Sequence, residues 1–390
     1  MAILSLIDPS GYSSVQDSLW HIAESDASGL TNFKYVFDVY DDNNNQLIRS
    51  KIYPDVNTGK GYFDAGSVVR NEMTYNWFND CVSMPENFVT TNADAYVKKT
   101  YKIYVGEEYN VGASGITNVG LVNSTTNVYN YFPKLFERRV KTIYDKYDSY
   151  LTNRPLYANI SYGERLLIPY YLSGSKTLEV KKYNEYNTLI STNTKSRNFG
   201  ATEFHELDLG MAALNNEFGT SIFTAADLGY YIVKIGTNAF RVNIVCVTDY
   251  EPINLYFINE YGMFDSARFD CMNKLNMNIT RKSFDRKEIT FADTSVDYFS
   301  SNNVYNETKI NYSSNIDWGY KLMMNFPTDE EWEWLAELIY SPQIFMKKGD
   351  YYYPVTIKAT NYEYYKRIYS KLKTFDVEIE INQKRNGFRR

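Results

Sequence analysis

Asn32-Phe33-Lys34-Tyr35-Val36-Phe37-Asp38-Val39-Tyr40-Asp41-Asp42-Asn43-Asn44-Asn45-Gln46-Leu47-Ile48-Arg49-Ser50-Lys51-Ile52-Tyr53 reads as strand, turn and return strand. Phe33 to Tyr40 places aromatic and β-branched residues in the alternating pattern of a half-buried strand. Asp41 to Asn45 is an unbroken run of turn formers, whose short polar side chains compete for the backbone and tolerate left-handed geometry. Pro54 stops the return strand, Asn57 to Gly61 turns the chain again, and Tyr62-Phe63-Asp64 is a short third strand leading to Gly66–Arg70. Tyr96 to Val105 repeats the pattern, so residues 1–130 are expected to form an N-terminal β-sandwich.

The same reading extends along the 390 residues, a length that suggests two or three domains. Residues 131–150 carry Pro133 and a charged, Tyr-rich run of helical composition, and read as a connector. A second sandwich is expected over 151–258. Its strands are Glu164–Leu172, Thr177–Tyr183, Asn187–Thr192 and the hairpin Tyr230–Ile235 and Phe240–Val247, turned at Gly236-Thr237-Asn238. Residues 259–390 are expected to form an antiparallel β domain, with strands at Leu275–Thr280, Glu288–Phe291, Tyr351–Thr360 and Lys373–Ile381. Its one helix is predicted over 328–340. Thr328 and Glu331 have capping-box spacing, Trp332, Leu335, Ala336 and Ile339 recur on one face, and Pro342 follows. The predicted fold class is therefore mainly β: two or more sandwich-like domains and a C-terminal antiparallel β domain with one packed helix.

Composition narrows the function classes. Aromatic residues make up 17% of the chain, with 38 Tyr and 22 Phe, which suits both β cores and protein interfaces. A net charge of −6 argues against general nucleic-acid binding. The basic run Lys384, Arg385, Arg389, Arg390 reads as a solvated tail. Cys81, Cys246 and Cys271 are sparse and widely spaced, which fits folding in a reducing cytoplasm and no zinc site. The N-terminus has no signal-peptide pattern and no apolar run has membrane-spanning length, so no membrane insertion is expected.

Chemistry has few carriers. Of two histidines, His21 has no partner nearby in sequence, and His205, followed by Glu206 and Asp208, reads as a packing or surface residue. No nucleophile elbow, phosphate loop or dinucleotide fingerprint occurs. Gly59-Lys60-Gly61 and Gly112–Gly115 read as turns. Asp41–Asn45 lacks the glycine and glutamate of a calcium loop and reads as a hairpin tip. No catalytic, cofactor-binding or metal-binding residues are assigned, no cofactor is expected, and the chain is expected not to be an enzyme.

Two passages go beyond composition. Asn32 to Tyr40, with Ile52-Tyr53-Pro54 and Gly61-Tyr62-Phe63-Asp64, resembles the opening domain of tail-assembly proteins from tailed phages of Bacteroidetes bacteria, including crAss-like phages. Leu255-Tyr256-Phe257-Ile258-Asn259-Glu260-Tyr261-Gly262 with Phe264-Asp265 resembles a later passage of the same proteins, and Leu151-Thr152-Asn153-Arg154-Pro155 also fits. The resemblance implies a virion structural protein of the tail, a baseplate, tail-hub or ring component assembled in the host cytoplasm. It implies partners in other copies of the chain, in rings of about six or twelve, and in neighbouring tail proteins, and it carries over no site residues. The alternatives are a receptor- or glycan-binding tail protein, for which Trp and Tyr would line a sugar groove, and a polysaccharide depolymerase, which no motif favours.

Overall fold

Alternating burial along the strands places the cores. The computed structural model describes residues 3–9, 13–73, 87–90, 94–110, 116–129, 148–201, 203–246, 250–271, 273–286, 290–292, 295–297, 299–301, 304–305, 308–325, 328–358, 374–382 and 385–389. Contacts divide the chain into two compact units, Met1–Cys246 with Phe257–Ser266, and Val247–Tyr256 with Ala267–Arg390. The chain is mainly β, and none of its described helices is long and apolar enough to cross a membrane.

The first unit holds two sandwich-like layers of sheet. The chain opens with β1 (Ile3–Ile7), β2 (Ser13–Ser14), β3 (Trp20–Ser25), β4 (Lys34–Asp41), β5 (Gln46–Ile52), β6 (Gly61–Asp64), α1 (Gly66–Asn71), β7 (Val89–Thr90), α2 (Asp94–Val97), β8 (Lys98–Asn110) and β9 (Ile116–Tyr129), of which β7 pairs into the second sandwich and the other strands form the first. Sheet β1-β3-β6 and sheet β2-β9-β8-β4-β5 share one core. Tyr35, Phe37 and Val39 of β4 bury with Ile103 and Val105 of β8, and Phe37 stacks on Phe63 of β6 at 5.1 Å. The opening hairpin pairs as read, Tyr35 with Ile52 through Val39 with Ile48. Asp38 is 1% exposed, and the guanidinium of cross-strand Arg49 meets its carboxylate through contacts of 2.5 and 2.7 Å. Gly61 admits no side chain, because a Cβ there would lie 2.5 Å from the Tyr35 ring.

The second sandwich-like layer pair contains β10 (Ser149–Tyr150), β11 (Tyr157–Ile160), β12 (Leu167–Tyr171), β13 (Ser175–Tyr183), β14 (Leu189–Asn198), β15 (Phe204–Asp208), α3 (Met211–Phe218), β16 (Gly229–Ile235) and β17 (Asn238–Ile244). Sheet β10-β12-β15-β7 and sheet β11-β17-β16-β13-β14 enclose a separate core that includes Ile168, Tyr170, Val180, Leu207, Tyr231, Val233 and Phe240. Residues 131–147 of the expected connector lie outside the described residues, as do Cys81 and the Gly112–Gly115 loop. Residues 148–150 already belong to this second sandwich, because Tyr150 is buried against Tyr170 and Phe240.

The second unit is built from β18 (Ile253–Ile258), β19 (Phe264–Phe269), β20 (Lys274–Asp285), β21 (Thr290–Ala292), β22 (Ser295–Asp297), β23 (Phe299–Ser301), β24 (Val304–Tyr305), β25 (Lys309–Asn325), α4 (Asp329–Tyr340), β26 (Ile344–Lys348), β27 (Tyr351–Ile357), β28 (Thr374–Ile381) and β29 (Arg385–Arg389). Strands β26-β27-β28-β25-β20 run in that order, and β29 pairs with the far half of β25. The hairpin β18–β19 is shared, its tip falling in the first unit and its base here. Helix α4 is the predicted one, with both hydrogen bonds of the Thr328–Glu331 capping box formed. Its buried face is rotated from the expected one: Trp332, Trp334, Leu335 and Leu338 are buried, whereas Ala336 and Ile339 are half-exposed. Trp332 meets Phe375 of β28 edge-on at 5.5 Å.

Candidate functional site

Three places gather polar or aromatic groups that could do chemistry. The first is His21. It is fully buried, and it has partners distant in sequence: Nδ1 lies 2.7 Å from the Asp8 carboxylate and Nε2 lies 2.9 Å from the Tyr101 hydroxyl. An acid–imidazole–hydroxyl chain resembles a catalytic relay in order, but here both ring and phenol lie inside the N-terminal core, at 0% and 1% exposure. It ties β1's end and β3 to β8.

The second is the run His205-Glu206-Leu207-Asp208 of β15. Strand alternation sends His205 to one face and Glu206 with Asp208 to the other. His205 is a packing residue, 3% exposed, with Nε2 3.1 Å from the Leu172 carbonyl and its ring beside Phe199. Asp208 receives the Arg165 guanidinium at 2.6 Å and the backbone N–H groups of Leu166 and Gly210. Glu206 accepts the Phe264 N–H at 3.3 Å. Burial pushes its carboxyl well above the usual carboxylate range, and the charge of Asp265 pushes the same way.

Around these carboxylates the structure assembles a joint that sequence reading did not foresee. The segment Leu151–Arg154 docks on the hairpin tip 257–266. Thr152 donates to Asp265 at 2.7 Å, Asn153 donates to Glu260 at 2.8 Å, and the Arg154 guanidinium donates to the Ser266 carbonyl at 2.8 Å. Asn259 donates to both the Leu151 carbonyl and Asp265, and its own side-chain oxygen receives the N–H groups of Tyr261 and Met263. That last pair shapes the turn, which Gly262 completes at φ 73°. The signal for this joint was in the sequence as two polar-rich motifs flanking apolar strands, but only the fold shows that they meet.

The third place is a groove of 290 Å³ in the second unit, lined by Leu275, Trp318, Tyr320, Met346, Tyr353 and Lys348 among others. The Lys348 ammonium donates to the Tyr320 hydroxyl at 2.6 Å, a bond that holds its pKa above the ordinary lysine value. The groove combines aromatic walls with one cation.

Among the described residues no group of three or more His, Cys, Asp or Glu side chains is placed to hold a metal ion. Cys246 is exposed and Cys271 half-exposed. No protein-family model matches this chain, and no curated protein matches it.

Proposed function

We propose that this chain is a structural building block of a phage tail, a ring-forming baseplate or tail-hub component that assembles through Tyr-bearing β surfaces in the host cytoplasm and ends in the virion. The observation that carries this reading is the buried joint at Thr152 and Asp265. Two of the three passages through which the sequence resembles tail-assembly proteins, Leu151–Pro155 and Leu255–Asp265, lie about a hundred residues apart and meet there. Tyrosine serves both uses expected of it. Tyr35, Tyr101, Tyr170 and Tyr231 fill cores, while Tyr53, Tyr186 and Tyr351 stand in solvent at 65%, 83% and 71% exposure, available to neighbours. The test is mass photometry of the purified full chain over a wide concentration range, with negative-stain imaging. Discrete rings are expected; a monomer at every concentration, together with absence of the chain from purified particles, would sink the proposal.

A second reading, a glycan-binding tail protein, is favoured by the Trp318–Tyr320–Tyr353 groove alone. Saturable binding on a glycan array that Trp318→Ala abolishes would support it.

A further inference from the structure

Strand β20 differs from the other strands in its exposure. Every described residue from Lys274 to Lys282 is exposed, on both faces. Among the described residues it is paired on one side only, with β25, from Lys274 opposite Lys321 to Asp285 opposite Lys309. One face of β20 is an apolar row, Leu275, Met277 and Ile279, at 51%, 48% and 39% exposure. The opposite face is polar and basic, with Lys274, Asn276, Asn278, Thr280 and Lys282. Helix α4 covers the Phe375 end of the sheet, and the Leu275 end opens instead into the groove that runs past Trp318 to Lys348.

A long open edge with apolar side chains is a template for another strand; proteins that do not use such edges shorten, bend, cover or charge them. Strand β20, charged at Lys274, Arg281 and Lys282, is still long, in unbroken register from Lys274 to Lys282 and apolar along one face. The charges on β20 select what can be added. Antiparallel pairing of β20 with itself about Asn278 would set Lys274 opposite Lys282 and Leu275 opposite Arg281, and like charges directly opposite are destabilising. Against its cations Lys274, Arg281 and Lys282 the strand carries one acid, Asp285. A sugar would use the aromatic groove but has no use for a row of main-chain donors and acceptors on the strand beside it.

We propose that β20 is a docking edge for an extended acidic segment of a different protein, added to the sheet as a further strand. The added strand alternates apolar residues over Leu275, Met277 and Ile279 with carboxylates towards Lys274 and Lys282, the strand-addition mode of peptide recognition. This rests on the assembly reading and assigns one of its surfaces to a neighbouring protein rather than to a second copy.

The test uses the full chain and a fluorescein-labelled peptide of alternating valine and glutamate, matched to β20 in length, followed by anisotropy. Binding is expected, weakened about tenfold by Lys274→Glu with Lys282→Glu, reduced by added salt, and lost in Met277→Asp. These substitutions are on exposed side chains, and circular dichroism of each variant checks that the fold is intact. Equal binding of the lysine analogue of the peptide, or undiminished binding of a version N-methylated at alternate residues, would overturn the proposal. Mass photometry separates it from the assembly reading. Rings that persist in Met277→Asp support a heterologous edge, and rings lost in that variant place a second copy there and overturn it. If the unmodified chain forms no rings at all, the assembly reading fails and the peptide arms alone decide the edge.

Discussion

Thr152 and Asp265, separated by 113 positions, share a 2.7 Å hydrogen bond with both side chains buried. The bond closes a joint in which Leu151, Asn153 and Arg154 each have a partner on the hairpin tip 257–266. Thr152→Val keeps the shape and removes the donor, leaving Asp265 short of a partner inside the protein. The expected loss is about 1–3 kcal/mol of stability, measured by urea unfolding. Paired with Asn259→Ala, which withdraws the amide donor at 3.2 Å from the same Asp265 oxygen, the change should be non-additive by about 0.5 kcal/mol or more. Additive effects would mean that the joint is a set of independent contacts.

Arg49 and Asp38 make a second test, at the hairpin that decides the fold. The Asp38 carboxylate is buried while the Arg49 side chain is half in solvent, so the arginine can leave more cheaply than the aspartate. Arg49→Met should cost about 1–3 kcal/mol, because among the described residues the buried carboxylate then keeps only the Gln46 amide at 3.2 Å. Adding Asp38→Leu should recover most of that loss, since two apolar residues replace a buried pair without a desolvation cost. Thermal unfolding of both variants checks this; a double variant no better than the single one would contradict it.

These residues also show what the sequence could disclose. The Phe33–Ile52 hairpin was legible because its alternation and turn formers are local. Helix α4 was legible because a capping box is a four-residue signal, though its buried face turned towards Trp334 and Leu338. Helix α3 went unread: Met211–Phe218 is short, and Gly219, which closes it at φ 66°, is the only strong punctuation it carries. Strand β25, with 17 residues, was missed because it is half-exposed and serves different partners along its length, so no single period runs through it. The Thr152–Asp265 joint and the Asp8–His21–Tyr101 chain depend on contacts across 113, 13 and 80 positions. Nothing local marks such pairings.

The capping box offers a test confined to the second unit. Thr328→Ala removes the acceptor for the Glu331 N–H, which lies 3.1 Å away. The expected cost is about 0.5–2 kcal/mol. Amide exchange should rise in the first turn of α4 and stay unchanged around Thr152. Uniform acceleration across both units would show that the helix start is coupled to the whole chain.

Glu206 gives the chain a pH dependence whose sign can be worked out. In the unfolded chain its carboxyl has an ordinary pKa; in the folded chain burial, and then the charge of Asp265, raise it, with the Phe264 N–H and Arg165 acting the other way. Between those two values the native state holds a proton that the unfolded state has released. Stability from this group is therefore complete below the ordinary carboxylate range and declines as pH climbs through the raised folded value, by up to about 1.4 kcal/mol per pH unit. Tyr150 and Tyr231 are also raised by burial, but phenols titrate at about pH 10 and above and do not enter this window. Glu206→Gln keeps an oxygen for the Phe264 N–H and cannot ionise. Urea unfolding from about pH 5 to about pH 8 should show wild-type stability falling relative to the variant, with the two curves converging at the acid end. Parallel curves would mean that Glu206 is ionised in the folded protein and that Arg165 and the surrounding donors outweigh its burial.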